Sequence, residues 1–155
     1  MSSRLKQTSV VFVVVFAAAQ LVRPGRANPA TDPGRTIQAH VGTTSGLAAV
    51  LDRSCRDCHS NGTVWPRYAH IAPLSWLMAS AVAKGRDAVN FSEWDAYLPD
   101  VQRTLLSASC QDVSSGKMPG FYTLVRPETR LSPQDVETIC TAARQAEAQI
   151  AGGSK

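Results

Sequence analysis

The chain has 155 residues, enough for one small domain and a terminal appendage, and its 44% hydrophobic and 18% charged residues are typical of a folded globular protein. The formal net charge of +4 comes from Arg4, Lys6, Arg23 and Arg26, because the other basic residues equal the acidic residues in number. Since these balanced charges are interspersed and form no basic stripe, no nucleic-acid partner is expected.

Residues 1–27 are predicted to be an N-terminal signal or membrane anchor. Arg4 and Lys6 precede an apolar run at residues 10–22, and a polar, proline-rich stretch follows, which is the order of an export signal. A retained anchor is favoured over a cleaved signal peptide, because the A-x-A-like site at residues 17–19 lies inside the apolar run. A buried core helix is the third alternative, since the run is shorter than the roughly 20 residues that span a bilayer.

Residues 28–45 are predicted to be a turn-rich tether. Proline, glycine, asparagine and aspartate are frequent there, and little apolar content precedes Ile37. With the N-terminus held in the cytoplasm by its basic residues, the tether and the following domain are expected on the periplasmic side of the cytoplasmic membrane.

Residues 46–152 are predicted to form one all-α domain. Apolar residues recur at helical spacing over residues 47–58, 73–85, 101–114 and 133–150, with a short turn of helix around Trp94 that starts at Ser92. Ser132 is suited to cap the N-terminus of the last helix, and Pro133 is suited to its first position. No segment of this domain alternates like a strand.

The pentapeptide CRDCH, from Cys55 to His59, is the most specific motif in the chain. Two cysteines three apart, followed at once by histidine, form the attachment pattern of a c-type haem. The spacing sets the two sulfurs at the separation of the two haem vinyl groups, to which each thiol adds. The motif therefore predicts one haem c held covalently by Cys55 and Cys58, with His59 as an axial iron ligand.

Two other uses of the cysteine pair are disfavoured. A zinc site would need further ligands at similar local spacing, but Cys110, Cys140, His40 and His70 are scattered singly. A thioredoxin-like redox pair normally opens a helix after a strand, and no strand is predicted upstream of the motif.

The second axial ligand is predicted to be Met118. It lies between two predicted helices in the sequence GKMPG, where proline stiffens the loop and glycine permits close approach to a macrocycle. Met78 falls on the apolar face of a helix, where methionine usually fills the core. His40 lies in the polar approach to the domain, His70 is the second choice, and an open iron position is the third.

Cys110 and Cys140 leave two alternatives open. An oxidising compartment permits a disulfide between them, which would close a loop of about 30 residues and add roughly 3 to 4 kcal/mol of stability. Both are equally well explained as small buried apolar residues.

The chain also resembles a family of small, membrane-tethered bacterial haem-binding domains related to monohaem c-type cytochromes. The resemblance covers nearly the whole chain from the anchor to the last helix. The residues that carry it are CRDCH at 55–59, VWPRY at 64–68, IAPLSWL at 71–77, GR at 85–86, NFSEW at 90–94 and GKMP at 116–119. It implies a cytochrome c-like helical domain around one haem, in which Met118 matches the family's methionine before proline. Gly120 departs from the second proline that the family has.

The predicted function is one-electron transfer, with redox partner proteins of a respiratory or periplasmic electron-transfer chain. No catalytic triad or acidic dyad is evident, so the chain is not expected to be an enzyme. Four carboxylates are interpreted as solvated groups flanking helices: Asp52, Asp57, Glu93 and Asp95. Four aromatic residues are expected mainly to pack against the haem: Trp65, Tyr68, Trp76 and Trp94. The alternative function is a haem-based sensor or a peroxidase-like enzyme with an open or labile distal position.

Overall fold

A computed structural model describes residues 3–41 and 45–152. The helices in these ranges are α1 Ser3–Ala19, α2 Ile37–His40, α3 Ser45–Ser54, α4 Arg56–His59, α5 Leu74–Ala88, α6 Pro99–Ser114, α7 Tyr122–Val125 and α8 Pro133–Gly152. Short 3-10 helices lie at Pro33–Arg35, Arg67–His70, Phe91–Ala96 and Pro127–Thr129. No strand occurs within the described ranges, which confirms the prediction of an all-α domain.

The main core lies between α3, α6 and α8, whose apolar faces meet around the fully buried Trp94. Ile139 of α8 and Leu106 of α6 are buried in this cluster. A disulfide joins Cys110 of α6 to Cys140 of α8, with 4.8 Å between the two Cα atoms. Of the two alternatives for these cysteines, the structure has the disulfide.

The start of α8 is fixed by a reciprocal pair of hydrogen bonds. The backbone N–H of Asp135 donates to Ser132 Oγ over 3.2 Å, and the N–H of Ser132 donates to Asp135 Oδ2 over 2.8 Å. These bonds satisfy N–H groups that the first turn of a helix leaves without partners, so Ser132 has the predicted capping role. Arg53 of α3 also donates to Asp135 Oδ2, over 2.7 Å, and ties the two helices together.

The prediction of one helix over residues 47–58 is wrong, because the chain breaks at Cys55. Its backbone lies at φ −122° and ψ −33°, which is outside helical geometry. The carbonyl of Cys55 then accepts the N–H groups of Cys58 and His59, so that a new turn, α4, begins there. The short helix around Trp94 also starts earlier than predicted, since Asn90 accepts the N–H of Ser92 and acts as the cap.

α1 carries the predicted apolar run, and none of its residues is buried. Among the described residues, no helix has both the length and the apolar character that crossing a membrane requires. The chain after α1 lies along the domain, because Asn28 donates to the carbonyl of Thr63 over 2.8 Å and Arg35 pairs with Asp95 at 2.9 Å. Residues 42–44 of the predicted tether lie outside the described residues.

Candidate functional site

Four of the sequence-predicted residues line one cavity of about 260 Å³: Cys55, Cys58, His59 and Met118. The other lining residues come mainly from α3, the end of α5, α6 and α8, and most of them are apolar. The cavity therefore combines two thiols, one imidazole and one thioether with a largely apolar wall, which suits a flat apolar cofactor that needs axial ligands.

The alternative ligands lie elsewhere. Met78 is 2% exposed and packs with Ala69 and Tyr122 in a second, smaller core cluster. His70 is exposed and is absent from the cavity wall. His40 borders a larger cleft of about 500 Å³ beside α6 and α8, but the wall of that cleft contains no cysteine or methionine.

His59 is oriented by the backbone that follows α5. Its Nδ1 lies 3.2 Å from the carbonyl oxygen of Val89, and its ring lies 5.7 Å from the ring of Phe91 between centroids. Because a carbonyl can only accept, Nδ1 carries the proton in this contact and Nε2 keeps its lone pair. Burial lowers the pKa of His59, which favours the neutral imidazole that a metal needs as ligand.

Cys55 and Cys58 are free thiols at the cavity wall. Burial, followed by the neighbouring Cys58, raises the pKa of Cys55 to about 12. Burial, followed by the carboxylate of Asp57, raises the pKa of Cys58 to about 11. A redox-active CxxC pair requires a lowered thiol pKa, so these surroundings disfavour thiol–disulfide exchange as the function of the motif.

The motif is held against α5 at Gly85. A Cβ atom on Gly85 would lie 2.9 Å from the carbonyl carbon of Cys58 and 3.1 Å from its Cβ, and closer still to its carbonyl oxygen. Only glycine permits this approach of backbone to backbone. The sequence pattern predicted that this helix ends at Gly85, whereas α5 continues to Ala88, and the contact with Cys58 was not predicted.

Arg86, the next residue of α5, connects the residues just after the motif to the N-terminal segment. Its guanidinium donates to the carbonyl of Ser60 over 2.8 Å and to Thr63 Oγ1 over 2.9 Å. It also donates to the carbonyl of Ala27 and to Asn28 Oδ1, each over 3.0 Å. The five-donor fork of arginine is suited to such a junction of several chain segments.

Asp57, predicted to be solvated, is buried, and that prediction is wrong. Its Oδ1 accepts the N–H of Val64 over 2.9 Å, while Oδ2 accepts the hydroxyl of Tyr122 over 2.8 Å and lies 3.4 Å from Nη1 of Arg126. These donors replace the water that a surface carboxylate would bind. Asp52, Glu93 and Asp95 have exposed positions, as predicted.

Met118 lies in a short loop between α6 and α7. Gly116 has φ +73°, a conformation that glycine adopts without strain, and the N–H of Met118 donates to the carbonyl of Asp112 over 3.1 Å. Lys117 pairs with the carboxylate of the same Asp112 at 2.9 Å. The loop is thus fastened to the end of α6, and Met118 is 39% exposed as a residue.

The aromatic residues of the cavity wall are Phe91 and Tyr122. None of the four aromatic residues singled out in the sequence is part of that wall: Trp65, Tyr68, Trp76 and Trp94. Helical periodicity could not predict that Tyr122 lines the cavity, because Tyr122 lies in a single helical turn directly after the Met118 loop.

The donor set fits an axially ligated macrocycle. Among the described residues, no group of three or more His, Cys, Asp or Glu side chains is arranged to hold a bare metal ion. By contrast, the thiols, the imidazole and the thioether share one apolar cavity with space between them.

Comparison with known proteins gives one family. A sequence model described as a haem-binding domain matches residues 14–145. No curated protein matches the chain, and no solved structure matches it either.

Proposed function

Because this chain belongs to the haem-binding domain family, we propose that it holds one haem covalently and carries single electrons. The observation that supports this best is the shared cavity, in which both free thiols, His59 and Met118 form parts of one apolar wall. The domain would then be a small cytochrome c-like carrier rather than an enzyme.

Covalent attachment uses Cys55 and Cys58. Each thiol adds across one vinyl group, with its sulfur bonding one vinyl carbon and its hydrogen passing to the other, so no oxidant is consumed. The resulting anchorage leaves His59 beside the macrocycle, with Nε2 available and the ring held by the carbonyl of Val89.

The bound haem supplies an iron centre that exchanges one electron. His59 and Met118 would hold that iron, and a histidine–methionine pair of ligands would favour the reduced form and raise the potential. The apolar residues of the wall would reduce the access of water to the haem, which tunes its reduction potential.

The proposed location is the periplasmic side of the cytoplasmic membrane, with the N-terminal segment as the anchor. The exposed apolar side chains at residues 10–16 of α1 favour contact with lipid, and the Cys110–Cys140 disulfide suits an oxidising compartment. The partners are redox proteins of a respiratory or periplasmic electron-transfer chain.

One observation favours a second candidate, a sensor or peroxidase-like enzyme. Met118 is 39% exposed as a residue, and a ligand from an exposed loop is more easily displaced by an external ligand. Tight binding of carbon monoxide to the reduced protein at neutral pH would support this candidate, whereas an inert reduced protein supports the electron carrier.

The test is to express the full chain in a host that exports it and attaches haem c, and to compare absorption spectra before and after denaturation and solvent extraction. Haem that stays with the denatured chain supports covalent attachment, and extractable haem contradicts it. The weak ferric thioether band should vanish in Met118→Ala and persist in the control Met78→Leu, because Met78 lies outside the cavity. Loss of the band in both variants, or in neither, would contradict ligation by Met118.

A further inference from the structure

We propose that one face of the domain seats on the surface of a lipid bilayer, beside the point where α1 enters it. This face, called the 71–77 face, consists of Ile71, Leu74 and Leu77, and Trp76 lies beside it against the end of α1. The inference rests on the proposed membrane attachment and adds which side of the domain meets the lipid.

The 71–77 face is apolar and open to solvent. Ile71 is 51% exposed, Leu74 39% and Leu77 54%, and Trp76 beside them is 38% exposed. They occupy the turn before α5 and its first turn, where Leu74 and Leu77 are neighbours on the helix surface. Several large apolar side chains exposed together mark a contact surface, whereas single exposed residues are ordinary.

The end of α1 is fixed beside this face. Ala72 donates its N–H to Gln20 Oε1 over 2.9 Å, and Trp76 donates its indole N–H to the carbonyl of Val22 over 2.9 Å. α1 ends at Ala19, immediately before these contacts, and its apolar side chains are exposed as well. Two exposed apolar surfaces therefore meet at residues 20–22, and a lipid bilayer would cover both.

The charges on this side of the chain match an anionic lipid surface. No Asp or Glu occurs in residues 1–31 or 58–86, although the chain has 12 acidic residues. Arg67 is exposed and lies four residues before Ile71, and Arg23 is exposed and directly follows Val22, whose carbonyl accepts the indole N–H of Trp76. Arginine side chains are attracted to anionic headgroups, and the amphipathic ring of Trp76 suits the interface between headgroups and acyl chains.

Contact between the 71–77 face and the bilayer determines how the cavity is placed relative to the membrane. α5 begins at the 71–77 face, and its last residue, Ala88, lines the cavity together with Val89. At 1.5 Å per residue, about 20 Å along the helix axis separates the two ends of α5. The part of the cavity wall formed by Ala88 and Val89 is therefore held away from the lipid-facing end of α5, and a soluble redox partner can reach the cavity from that side.

The experiment uses the full chain in nanodiscs that contain anionic phospholipid. A photoreactive benzoylphenylalanine replaces Leu77 in one sample and Leu98 in the other. Leu98 is the matched control, because it is also an exposed leucine, at 72%, and lies near the opposite end of α5. Its neighbour Tyr97 accepts the N–H of Asn90, just beyond that end, through its hydroxyl oxygen. After irradiation, mass spectrometry counts lipid adducts at each position.

We expect several-fold more lipid adduct at position 77 than at position 98. Equal yields of lipid adduct at positions 77 and 98 would overturn the proposal. Crosslinks from position 77 to protein and none to lipid would overturn it as well. Removal of residues 1–19 during export, read from the intact mass, would overturn it too, because the 71–77 face would lose the adjoining helix. The haem spectrum of the same samples separates the two proposals: absent haem contradicts the proposed function, whereas haem-loaded protein with equal adduct yields contradicts the seating alone.

Discussion

Tyr122 donates its hydroxyl to Oδ2 of Asp57 over 2.8 Å, and this bond joins the start of α7, just after the Met118 loop, to the cysteine motif in α4. Asp57 lies between Cys55 and Cys58, while Tyr122 follows shortly after Met118. Both partners are buried, so water does not compete for the bond. The pair therefore sets the position of the Met118 loop relative to the cysteine motif.

Tyr122→Phe should destabilise the haem-loaded protein by about 2 kcal/mol, the usual loss for a hydrogen bond to a charged group. Removal of the hydroxyl leaves Asp57 with a weaker set of donors, and the Met118 loop loses one of its fastenings. We therefore also expect a weaker ferric thioether band. Denaturant unfolding and the absorption spectrum measure the two effects.

The matched control is Tyr68→Phe. The Tyr68 hydroxyl is buried without a hydrogen-bond partner among the residues that the structure describes, and the ring packs in the same small cluster as Tyr122. Removing an unpaired hydroxyl should change the stability by less than about 0.5 kcal/mol, or raise it slightly. Equal losses of stability in Tyr122→Phe and Tyr68→Phe would show that the hydrogen bond to Asp57 makes no specific contribution to stability.

The same bond predicts a pH dependence. Burial, and after it the hydrogen bond to Asp57, raises the pKa of Tyr122 above its ordinary value of 10.0. In the unfolded chain the phenol ionises first, so the stability from this residue is complete below about pH 10 and declines above it. The decline should approach about 1.4 kcal/mol per pH unit and be missing from Tyr122→Phe. A stability difference between the two proteins that stays constant from about pH 9 to 11 would contradict this linkage.

The cysteine motif and the helical fold were predictable because their signals are local. Thiol spacing and helical periodicity are both read within a few residues of sequence. The role of Asp57 was not predictable, since its partner Tyr122 is 65 residues away and is brought near only by the folded chain. A carboxylate near the end of a predicted helix looks solvated until that partner is known.

The break at Cys55 was missed for a related reason. Leu47, Val50 and Leu51 are spaced as one helix face that continues through Cys55, so periodicity alone extends α3 through the motif. The separate turn of α4 packs against α5, where Gly85 closely approaches Cys58, and no local pattern reveals this long-range packing.

Gly85→Ala should sharply reduce the yield of haem-loaded protein and destabilise it by several kcal/mol. In an ordinary helix interior this change adds up to about 1 kcal/mol of stability, because alanine loses less backbone entropy. Here the added methyl group would collide with the backbone of Cys58, so that α5 or the motif must move. Haem content per chain and thermal unfolding measure the outcome.

Gly46→Ala is the control for Gly85→Ala. Gly46 is also helical, in the first turn of α3, and the nearest atom to its added Cβ would be a side-chain methyl of Thr138 at 3.9 Å. We expect unchanged haem content and a stability that is equal or higher by up to about 1 kcal/mol. If both alanine variants behaved alike, the close approach at Gly85 would not be the cause.

Arg86→Lys should destabilise the protein by about 1 to 3 kcal/mol, although the charge is retained. A lysine has one donor group and cannot reach the motif and the N-terminal segment at once. Arg103→Lys is the control, because within the described part of the chain Arg103 makes an exposed ion pair with Asp100 and no other ion pair, so the variant should lose less than about 0.5 kcal/mol. Proteolysis near Asn28 should also become faster in Arg86→Lys, since the segment loses two of its contacts. Similar stability in the two lysine variants would contradict this role.

The double variant Cys110→Ala/Cys140→Ala should lose about 3 kcal/mol of stability, because the bridge between α6 and α8 closes a loop of 30 residues. Neither cysteine lines the cavity, so the haem spectrum should stay that of the wild type at temperatures where the variant is folded. Thermal unfolding of wild type with and without reductant measures the same bridge independently. The reduced wild type should unfold close to the double variant, and a spectrum altered by the substitutions would mean that the bridge also shapes the cavity through α6.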